Sequence, residues 1–472
     1  MKVCVLLPDY STSNVDYQNY DPPRNLATLI PNDNVQTVFL NKLTTYKQLK
    51  ELSKQNFDIY VNLCEGYLEW EVPSIDVIYT LELLNLPFTG PTTLLYDPPK
   101  PLMKYVAFCE NILTPNYIVI TTQSDINDAI HELQFPLFVK PAKAGDSLGV
   151  DENSLVYNNQ QLYHKVNNII NEYDEILVEE YINGREFTVL VIANEDGKTV
   201  TALQPVEYIF PEGKLFKTYS LKTSELHKEA NVPVTDKELA NKLTTAATKI
   251  FKGFNGKGYA RLDFRMNEKQ ALYFLEINFT CSVFYTNGYE GSADYILQFD
   301  GIGQQKFLQH IIKEGIARHK QHTKKYFVKR NATVGYGIYA KNNITKGTII
   351  FKGEETNHRI VTKKFVEEYW NKGEKENFER YAYPINNEVY ILWSNNPSDW
   401  APQNHSCDAN TAYDGLNVIA LKNIVANEEL TLNYAHFLDE TAAPFQCNCN
   451  SKNCTGIVKG KKGNGIGKRN NF

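Results

Sequence analysis

The stretch Asn404-His405-Ser406-Cys407-Asp408-Ala409-Asn410 decides the C-terminal fold, because a cysteine cluster follows it. Forty residues after Cys407 the chain runs Cys447-x-Cys449-x4-Cys454, so four of the eight cysteines lie in the last 66 residues. Zinc prefers four soft ligands in a tetrahedron, and clustered cysteines without a secretory signal indicate a metal site before disulfides. Three ligands within eight residues cannot close such a site, so we expect Cys407 to be the fourth and the tail to fold back over residues 404–410. Four unrelated thiols are the alternative, which the spacing disfavours.

Two further segments flank this stretch. Gly335-Tyr336-Gly337-Ile338-Tyr339-Ala340 lies upstream, where two glycines allow the backbone to approach a ligand closely. Glu428-Glu429-Leu430-Thr431-Leu432-Asn433-Tyr434 lies downstream. Taken in order, the four motifs resemble the SET-domain methyltransferases with a post-SET zinc lobe, over about residues 326–456.

This resemblance implies a mostly-β SET domain at residues 326–440, a post-SET zinc lobe at 441–458 and a methyl donor, S-adenosylmethionine. Many short strands broken by Gly and Asn agree with an all-β module. The resemblance assigns S-adenosylmethionine to Tyr336, Gly337, Asn404 and His405, and zinc to the four cysteines. It places Tyr434 as the catalytic residue beside the methyl-transfer channel, where alignment and a desolvated amine favour transfer.

Four further positions in this region bear on the resemblance. Tyr381 or Tyr383 could supply a second channel hydroxyl, although packing in a β core explains either residue as well. Ala409 occupies the position of the usual proline, and Asn433 that of the usual aspartate. Neither change removes a group that the chemistry requires.

The N-terminal residues 1–95 predict a small open α/β domain. The apolar strands Lys2–Pro8 and Phe57–Cys64 alternate with helices predicted at Thr45–Gln55 and Ile75–Leu84. The proline-rich run Tyr96–Pro101 ends this domain.

Residues 96–318 combine a small-residue loop with a later acidic hairpin. Strand Phe135–Lys140 runs into the loop Pro141–Gly149, whose backbone N–H groups are free to surround phosphate oxygens. Strands Tyr259–Arg265 and Ala271–Asn278 form a hairpin that brings Asp263, Glu276 and Asn278 to neighbouring positions. Two carboxylates and an amide oxygen suit Mg²⁺, although a solvated strand face would carry the same acids.

Taken together, these segments resemble the ATP-grasp superfamily, and most closely the D-alanine–D-alanine ligases, over roughly residues 1–318. The turn Asn62–Gly66 and the segment Leu83–Gly90 belong to this resemblance. It implies an α/β fold that holds ATP between two sheets, a Mg²⁺ site at the acidic trio, and Arg261 as a catalytic residue at a tetrahedral intermediate. The ATP-binding residues that it implies are Lys104, Lys140, Ser147, Glu179, Glu180, Tyr181, Ile182 and Glu186.

The positions at which this sequence departs from the ligases argue against specificity for D-alanine more than they argue against ATP binding. The small turn after the metal asparagine is replaced by Phe279-Thr-Cys-Ser-Val-Phe284, so the glycine that lends an oxyanion N–H is absent. The segment Leu7–Ser11 lacks the usual acidic residue for the amino-acid substrate, and Ala144 and Asp146 replace the loop's usual glutamate and serine.

Charge, apolar content and cysteine use limit the kinds of partner and the cellular compartment that we expect for this chain. The net charge of −6 gives no basic face for nucleic acid, and the Gly/Lys tail at residues 459–472 predicts a disordered end. No apolar run approaches a membrane span, and reduced cysteines with no signal segment indicate the cytoplasm. Small amino acids or peptides are the expected substrates, with a protein lysine as a further methyl acceptor, and a homodimer is compatible with the sequence.

Three functions stay open at this point. The first is a bifunctional enzyme, an ATP- and Mg²⁺-dependent carboxylate–amine ligase joined to an N-methyltransferase. The second is a protein-lysine methyltransferase whose ATP-grasp half only binds a ligand or substrate. The third is a ligase with a structural SET remnant, which Tyr434 and the cysteine set oppose.

Overall fold

The computed structural model describes residues 1–14, 19, 21–66, 71–143, 148–218, 230–322, 324–331, 335–356, 358–393 and 401–466. The chain divides into two compact units, Met1–His322 and Thr323–Phe472. The expected fold class is confirmed, because the first unit is α/β and the second is rich in strands. Among the described helices none is long and apolar enough to cross a membrane.

The first unit begins with a small parallel sheet. Its elements are β1 (Lys2–Pro8), β2 (Asn34–Leu40), α1 (Thr45–Ser53), β3 (Ile59–Asn62) and α2 (Ile75–Leu83). The strand order is β2-β1-β3, with β1 buried in the centre. The sequence did not predict β2, because its residues are mostly exposed and its only continuous apolar run is the short Val38–Leu40.

A four-stranded antiparallel sheet follows. Its elements are α3 (Lys100–Cys109), β4 (Tyr117–Ile120), α4 (Asp125–Glu132), β5 (Leu137–Pro141), β6 (Leu155–Val156), α5 (Asn159–Ile169) and β7 (Ile176–Glu180). The strand order is β4-β7-β5-β6. Apolar side chains of α4 and α5 pack on this sheet and form one core.

A six-stranded antiparallel sheet completes the first unit. Its elements are β8 (Gly184–Ala193), β9 (Val200–Ala202), β10 (Val206–Tyr208), β11 (Asn231–Pro233), α6 (Lys237–Gly253), β12 (Tyr259–Asn267), β13 (Leu272–Asn278), α7 (Ser292–Asp300) and α8 (Gly303–His322). The strand order is β11-β10-β8-β12-β13, and β9 also pairs with β8. Helix α6 is capped by Asp236 and buries one face, which carries Leu239, Leu243, Ala246 and Ile250.

The predicted acidic hairpin is β12 and β13. Asp263 lies opposite Glu276, and Arg261 lies opposite Asn278. The register shifts between Asp263 and Phe264, at an irregularity of the kind that re-aims side chains near functional sites.

The second unit consists of small sheets. Its elements are β14 (Tyr326–Asn331), β15 (Gly335–Ala340), β16 (Ile349–Phe351), β17 (His358–Thr362), α9 (Lys363–Tyr369), α10 (Lys372–Tyr381), β18 (Tyr383–Pro384), β19 (Val389–Trp393), β20 (Asn404–His405), β21 (Thr411–Asp414), β22 (Asn417–Ala420), β23 (Thr431–Leu432), β24 (Phe445–Gln446) and β25 (Ile457–Val458). The largest sheet has the order β16-β22-β21-β23-β20. Helix α10 was not predicted, although Asn371 and Glu374 form a capping box at its start.

The tail differs from the expectation of disorder over residues 459–466. Lys461 N–H donates to Leu438 O at 3.0 Å, Ile466 N–H donates to Pro384 O at 2.8 Å, and the Ile466 side chain is buried. The prediction is therefore wrong for this part, because backbone hydrogen bonds and one apolar side chain hold a segment that composition alone marks as disordered. Residues 467–472 lie outside the described residues.

An ion network fastens the first sheet to the segment after β13. The Arg24 guanidinium donates to Glu65 at 3.3 Å and to the carbonyls of Leu63 and Val283, and it lies 3.3 Å from Asp21. Tyr285 Oη donates to Asp21 at 2.7 Å. Burial raises the pKa of Glu65 to about 7, and the Arg24 charge offsets only part of this effect.

The raised Glu65 pKa predicts a pH-dependent stability difference. Its folded value of about 7 exceeds the unfolded value, so stability is fully present below the unfolded pKa and is lost as pH rises through 7. Relative to Glu65→Gln, wild type should lose about 3 kcal/mol between about pH 4.5 and pH 8. Urea unfolding of both proteins across this range measures the difference, with exposed Glu268→Gln as the control. Parallel curves for wild type and Glu65→Gln would contradict the prediction.

Candidate active sites

The first unit contains a cleft lined by side chains from the four-stranded and six-stranded sheets. Its empty volume, including solvent-open space, is about 810 Å³. The charged residues that line it are Lys100, Lys140, Glu179, Glu180, Glu186, Lys217, Asp263, Arg265 and Glu276. The convergent charges of this cleft suit a ligand that itself carries charged groups, such as a nucleotide.

Glu179 joins two lysines at the base of this cleft. Its carboxylate lies 2.7 Å from Lys104 Nζ and 2.6 Å from Lys140 Nζ. All three side chains are buried, and although burial opposes ionisation, the two ammonium groups lower the pKa of Glu179 to about 2. The group is therefore a fixed anion at neutral pH.

Lys104 does not lie where the sequence predicted. It is absent from the described cleft lining, and its Nζ also donates to Pro115 O at 3.3 Å. Burial lowers the pKa of Lys104, an effect that the Glu179 charge partly offsets. Lys104 therefore pairs with Glu179 without lining the described cleft.

Lys100 is a cleft residue that the sequence reasoning missed. It lies one helical turn before Lys104 on α3, is buried, and lines the cleft. Burial lowers the pKa of Lys100, and the Glu276 charge opposes this shift. The i, i+4 spacing of the two lysines on one helix face was the available signal.

The end of β7 and the residues after it form one wall of the cleft. Glu180 accepts hydrogen bonds from Gln134 N–H and Asn116 Nδ2, both at 3.0 Å. Tyr181 Oη donates to Leu215 O at 2.8 Å, and Ile182 O accepts from Arg265 at 3.0 Å. Glu180, Tyr181 and Ile182, predicted as ATP-binding residues, all line the cleft.

Glu186 is held between two cations that the sequence reasoning did not single out. Its Oε1 lies 3.0 Å from Lys217 Nζ, and its Oε2 accepts from Arg265 Nε at 3.1 Å. Burial opposes ionisation, but Lys217 and Arg265 lower the pKa of Glu186 to about 2. The spacing Asp263-x-Arg265 on β12, which repeats the face of Asp263, was the signal for Arg265.

The acidic trio and Arg261 lie on the hairpin of β12 and β13. Asp263 Oδ1 accepts from Thr188 Oγ1 at 2.7 Å and from Arg261 Nε at 3.2 Å. Asn278 Nδ2 lies 3.5 Å from Glu276 Oε1. The structure therefore brings Asp263, Glu276, Asn278 and Arg261 together, and the oxygen donors fit a hard cation.

The small-residue loop is described only at its ends. Ser147, predicted to bind ATP, lies outside the described residues with the rest of 144–147. Lys165 Nζ donates to Gly149 O at 3.0 Å and to Asp151 Oδ1 at 2.9 Å, which fixes the end of the loop.

In the second unit, the predicted S-adenosylmethionine residues lie together. Asn404 Nδ2 donates to Glu429 Oε1 at 2.7 Å and to Tyr336 O at 3.3 Å. A Cβ on Gly337 would lie 2.8 Å from Asn404 Nδ2 and closer still to Glu429 Oε1, so a side chain here would displace the ends of these two side chains. Glu429 is a residue of this group that the sequence reasoning quoted without assigning a role.

His405 connects this group to Tyr434. Its Nδ1 accepts from Tyr434 N–H at 3.1 Å, and the two rings lie 5.6 Å apart. Because Nδ1 is the acceptor, the ring is neutral in this contact, and burial lowers the pKa of His405 in agreement.

Tyr434 belongs to a cluster of three tyrosines and one phenylalanine. Phe437 lies with ring centroids 5.3 Å from Tyr383 and Tyr413 and 5.5 Å from Tyr434. Tyr434 Oη donates to Gln403 O at 2.5 Å. Burial raises the pKa of all three tyrosines, so their phenols are neutral at physiological pH. Of the two predicted alternatives Tyr383 joins the cluster, whereas Tyr381 is 56% exposed.

The four C-terminal cysteines converge. Their sulfur atoms all lie within 4.8 Å of one another, and Cys407 Sγ lies 3.8 Å from Cys447 Sγ. Backbone N–H groups of Cys407 and Thr455 donate to Cys449 Sγ and Cys407 Sγ at 3.5 and 3.4 Å. The segment of Cys447, Cys449 and Cys454 folds back over residues 404–410 as expected. The donor set fits zinc, which takes four thiolates in a tetrahedron.

Comparisons with known proteins agree with both units. The family model described as D-ala D-ala ligase C-terminus matches residues 107–288, and the SET domain model matches residues 335–435. D-alanine–D-alanine ligase A of Bacillus cereus is 30% identical over 243 residues, which cover 50% of this chain and 74% of that protein. The D-alanine–D-alanine ligase of Aquifex aeolicus is 28% identical over 200 residues, covering 42% of this chain and 64% of that ligase, less than two thirds of its length.

Solved structures share the fold of the N-terminal two thirds. The D-alanine–D-alanine ligase of Bacillus anthracis complexed with ATP has a TM-score of 0.50 at 20% identity, covering 68% of this chain and 100% of that one. VanG D-Ala:D-Ser ligase of Enterococcus faecalis has a TM-score of 0.50 at 16% identity, covering 66% and 99%. At these identities the likeness concerns the fold alone.

The positions of the two α3 lysines predict different effects of substitution. Lys100→Met should weaken ATP binding about tenfold, because a charged donor to the cleft is lost. Lys104→Met should instead lower the free energy of unfolding by about 3 kcal/mol, because the buried Glu179 carboxylate loses one of its two partners. Calorimetric titration with ATP and urea unfolding distinguish the two outcomes. Equal loss of ATP affinity in both variants, with unchanged stability, would contradict the placement of Lys104.

The sulfur cluster predicts bound zinc. The full chain should hold about one zinc ion, and Cys447→Ser should lose most of it, because three thiolates hold zinc less tightly than four. Elemental analysis after gel filtration measures the metal. Cys109→Ser is the matched control, because Cys109 is exposed and lies outside the cluster. Equal zinc content in the two variants would refute the site.

Proposed function

The chain belongs to the D-alanine–D-alanine ligase family in its N-terminal part and carries a SET domain behind it, and we propose from this that it is a bifunctional enzyme. The first activity is an ATP- and Mg²⁺-dependent carboxylate–amine ligase. The second is an S-adenosylmethionine-dependent N-methyltransferase. The observation that carries the ligase assignment is the convergence of Lys100, Lys140 and Glu276 on one cleft.

In the proposed ligation, a substrate carboxylate oxygen attacks the γ-phosphorus of ATP, and ADP leaves. The nitrogen of the amine substrate then attacks the carbonyl carbon of the resulting acyl phosphate, and inorganic phosphate leaves with the C–N bond formed. Lys100 and Lys140 hold phosphate oxygens, and the wall of Glu180–Ile182 with Glu186 holds the adenosine part. Arg261 supplies fixed positive charge where the tetrahedral oxygen develops.

Asp263, Glu276 and Asn278 would hold the metal, and a divalent cation there neutralises charge on the transferring phosphate. The fit rests on the donor chemistry of these three side chains at one end of the hairpin. Arg261 pairs with Asp263 at 3.2 Å, so its guanidinium would lie beside the metal site, where it can supply positive charge to the oxyanion.

In the proposed methyl transfer, an amine lone pair attacks the methyl carbon of S-adenosylmethionine, and S-adenosylhomocysteine leaves. Tyr336, Gly337, Asn404 and His405 hold the donor. The channel for the amine is formed by the cluster of Tyr383, Tyr413 and Tyr434. Exclusion of water from this channel lowers the amine pKa. The channel walls align the amine lone pair with the methyl group. The acceptor is an amino acid, a small peptide or a protein lysine.

A second candidate is a protein-lysine methyltransferase whose first unit only binds a ligand. The segment after Asn278 favours it, because Val283 and Phe284 are buried where the ligases carry a small turn. Burial also raises the pKa of Cys281 to about 12, so this thiol is neutral beside Arg261 and is no substitute catalyst.

Phosphate release from Mg-ATP, measured with a panel of amino acids and short peptides, tests the proposal. Half of the reactions contain S-adenosylmethionine, and product masses are recorded. We expect amine-dependent phosphate release and a ligated product that gains about 14 mass units, one CH₂, with the methyl donor. Glu276→Gln should abolish the release, and Tyr434→Phe should abolish only the methyl gain.

The two variants serve as controls for each other, because they lie in different units. No release with any amine, together with methylation of a protein lysine that Tyr434→Phe abolishes, would replace the first proposal by the second candidate. Phosphate release without any methyl gain would support the ligase activity and contradict the proposed methyltransferase activity.

A further inference from the structure

Residues 459–466, which we call the C-terminal strap, are fastened to the second unit on two sides. Lys461 N–H donates to Leu438 O at 3.0 Å, and Ile466 N–H donates to Pro384 O at 2.8 Å. Pro384 directly follows Tyr383, and Leu438 lies four residues after Tyr434. The strap therefore joins the two segments that carry these tyrosines.

The side chain of Asn464 strengthens one of these attachments. Its Nδ2 donates to Ala435 O at 3.0 Å and to Leu438 O at 3.2 Å. Ala435 belongs to the short 3-10 helix Tyr434–His436, whose final carbonyls need donors from outside the helix. Asn464 thus fixes the turn in which Tyr434 lies.

Two glycines let the strap follow this path. A Cβ on Gly460 would overlap Asp439 O, and one on Gly465 would overlap Ile385 O. The backbone of the strap is therefore in direct contact with both attachment segments, with no room for a side chain between them.

Ile466 packs beneath the aromatic cluster. It is 1% exposed and shares a core with Tyr413 and Phe437, with Tyr383 and Tyr434 packed alongside. Burial of this side chain adds a hydrophobic attachment to the backbone and Asn464 hydrogen bonds that fasten the strap.

We propose that the C-terminal strap is a positioning element of the methyl-transfer reaction. It holds the segment after Tyr383 at a fixed separation from the segment after Tyr434, so that the amine channel keeps the geometry needed for in-line transfer. Asn464 and Ile466 are its positioning residues and act through the tyrosines. The inference rests on the proposed methyltransferase activity.

Methyl transfer by two truncated chains, compared with the full chain, tests the strap. A chain that ends at Val458 loses the strap and keeps the four cysteines, whereas a chain that ends at Ile466 keeps both. We expect kcat to fall by about tenfold or more in the shorter chain, because small misplacements in a transfer site cost one to two orders of magnitude. Zinc content, the Kd for S-adenosylmethionine and phosphate release should match those of the full chain.

Point substitutions separate positioning from folding. Asn464→Ala and Ile466→Ala should lower kcat with an unchanged Kd for the methyl donor, and Ile466→Val should retain most of the rate. Lys462→Ala is the matched control, because Lys462 is an exposed strap residue, and its rate should stay within about twofold. Equal kcat for the full chain and the chain ending at Val458 would overturn the proposal.

Hydrogen exchange distinguishes failure of the strap from failure of the proposed function. If the full chain methylates no amine, the methyltransferase proposal fails and the positioning role fails with it. Slow exchange of the Lys461 and Ile466 amides, made fast by Asn464→Ala, would still support the fastening. Fast exchange of these amides in the full chain would overturn the strap itself.

Discussion

The buried carboxylate of Glu179, shared by Lys104 and Lys140, is the interaction on which the first unit depends. An unpaired buried charge would cost several kcal/mol, so each of the three groups requires the others. Lys104 comes from α3, Lys140 from β5 and Glu179 from β7, and the trio therefore fixes a helix and two strands around the cleft base. Lys100 and Lys140 gain their positions on the cleft from this arrangement.

The second unit depends on a different constraint, which is the close approach of side chains to the backbone of a glycine rather than the pairing of buried charges. Gly337 allows Asn404 and Glu429 to meet against β15, and His405 then accepts the Tyr434 N–H. These contacts connect residues that lie far apart along the chain and set the tyrosine cluster beside the predicted methyl-donor residues.

Sequence patterns predicted the features that depend on local periodicity and on ligand chemistry. The hairpin of β12 and β13 followed from strand alternation, and the convergence of Cys407 with the C-terminal cysteines followed from the coordination number of zinc. Patterns failed where tertiary contacts choose between similar residues. Lys100 and Lys104 share one helix face, and only the packing of α3 shows which of them lines the cleft. The expectation of disorder for residues 459–466 failed for a related reason. The order of this segment depends on carbonyl partners at Pro384, Ala435 and Leu438, which composition does not reveal.

Cys407 connects the sulfur cluster to the segment that carries Asn404 and His405. It is a member of the sulfur cluster and lies two residues after His405, with its Sγ 3.4 Å from His405 Nε2. A metal ion at the cluster would therefore anchor the strand end that carries Asn404 and His405. We expect the supply of zinc during synthesis to set the fraction of chains with an ordered second unit, whereas the first unit, which has no residue in this cluster, folds independently of that supply.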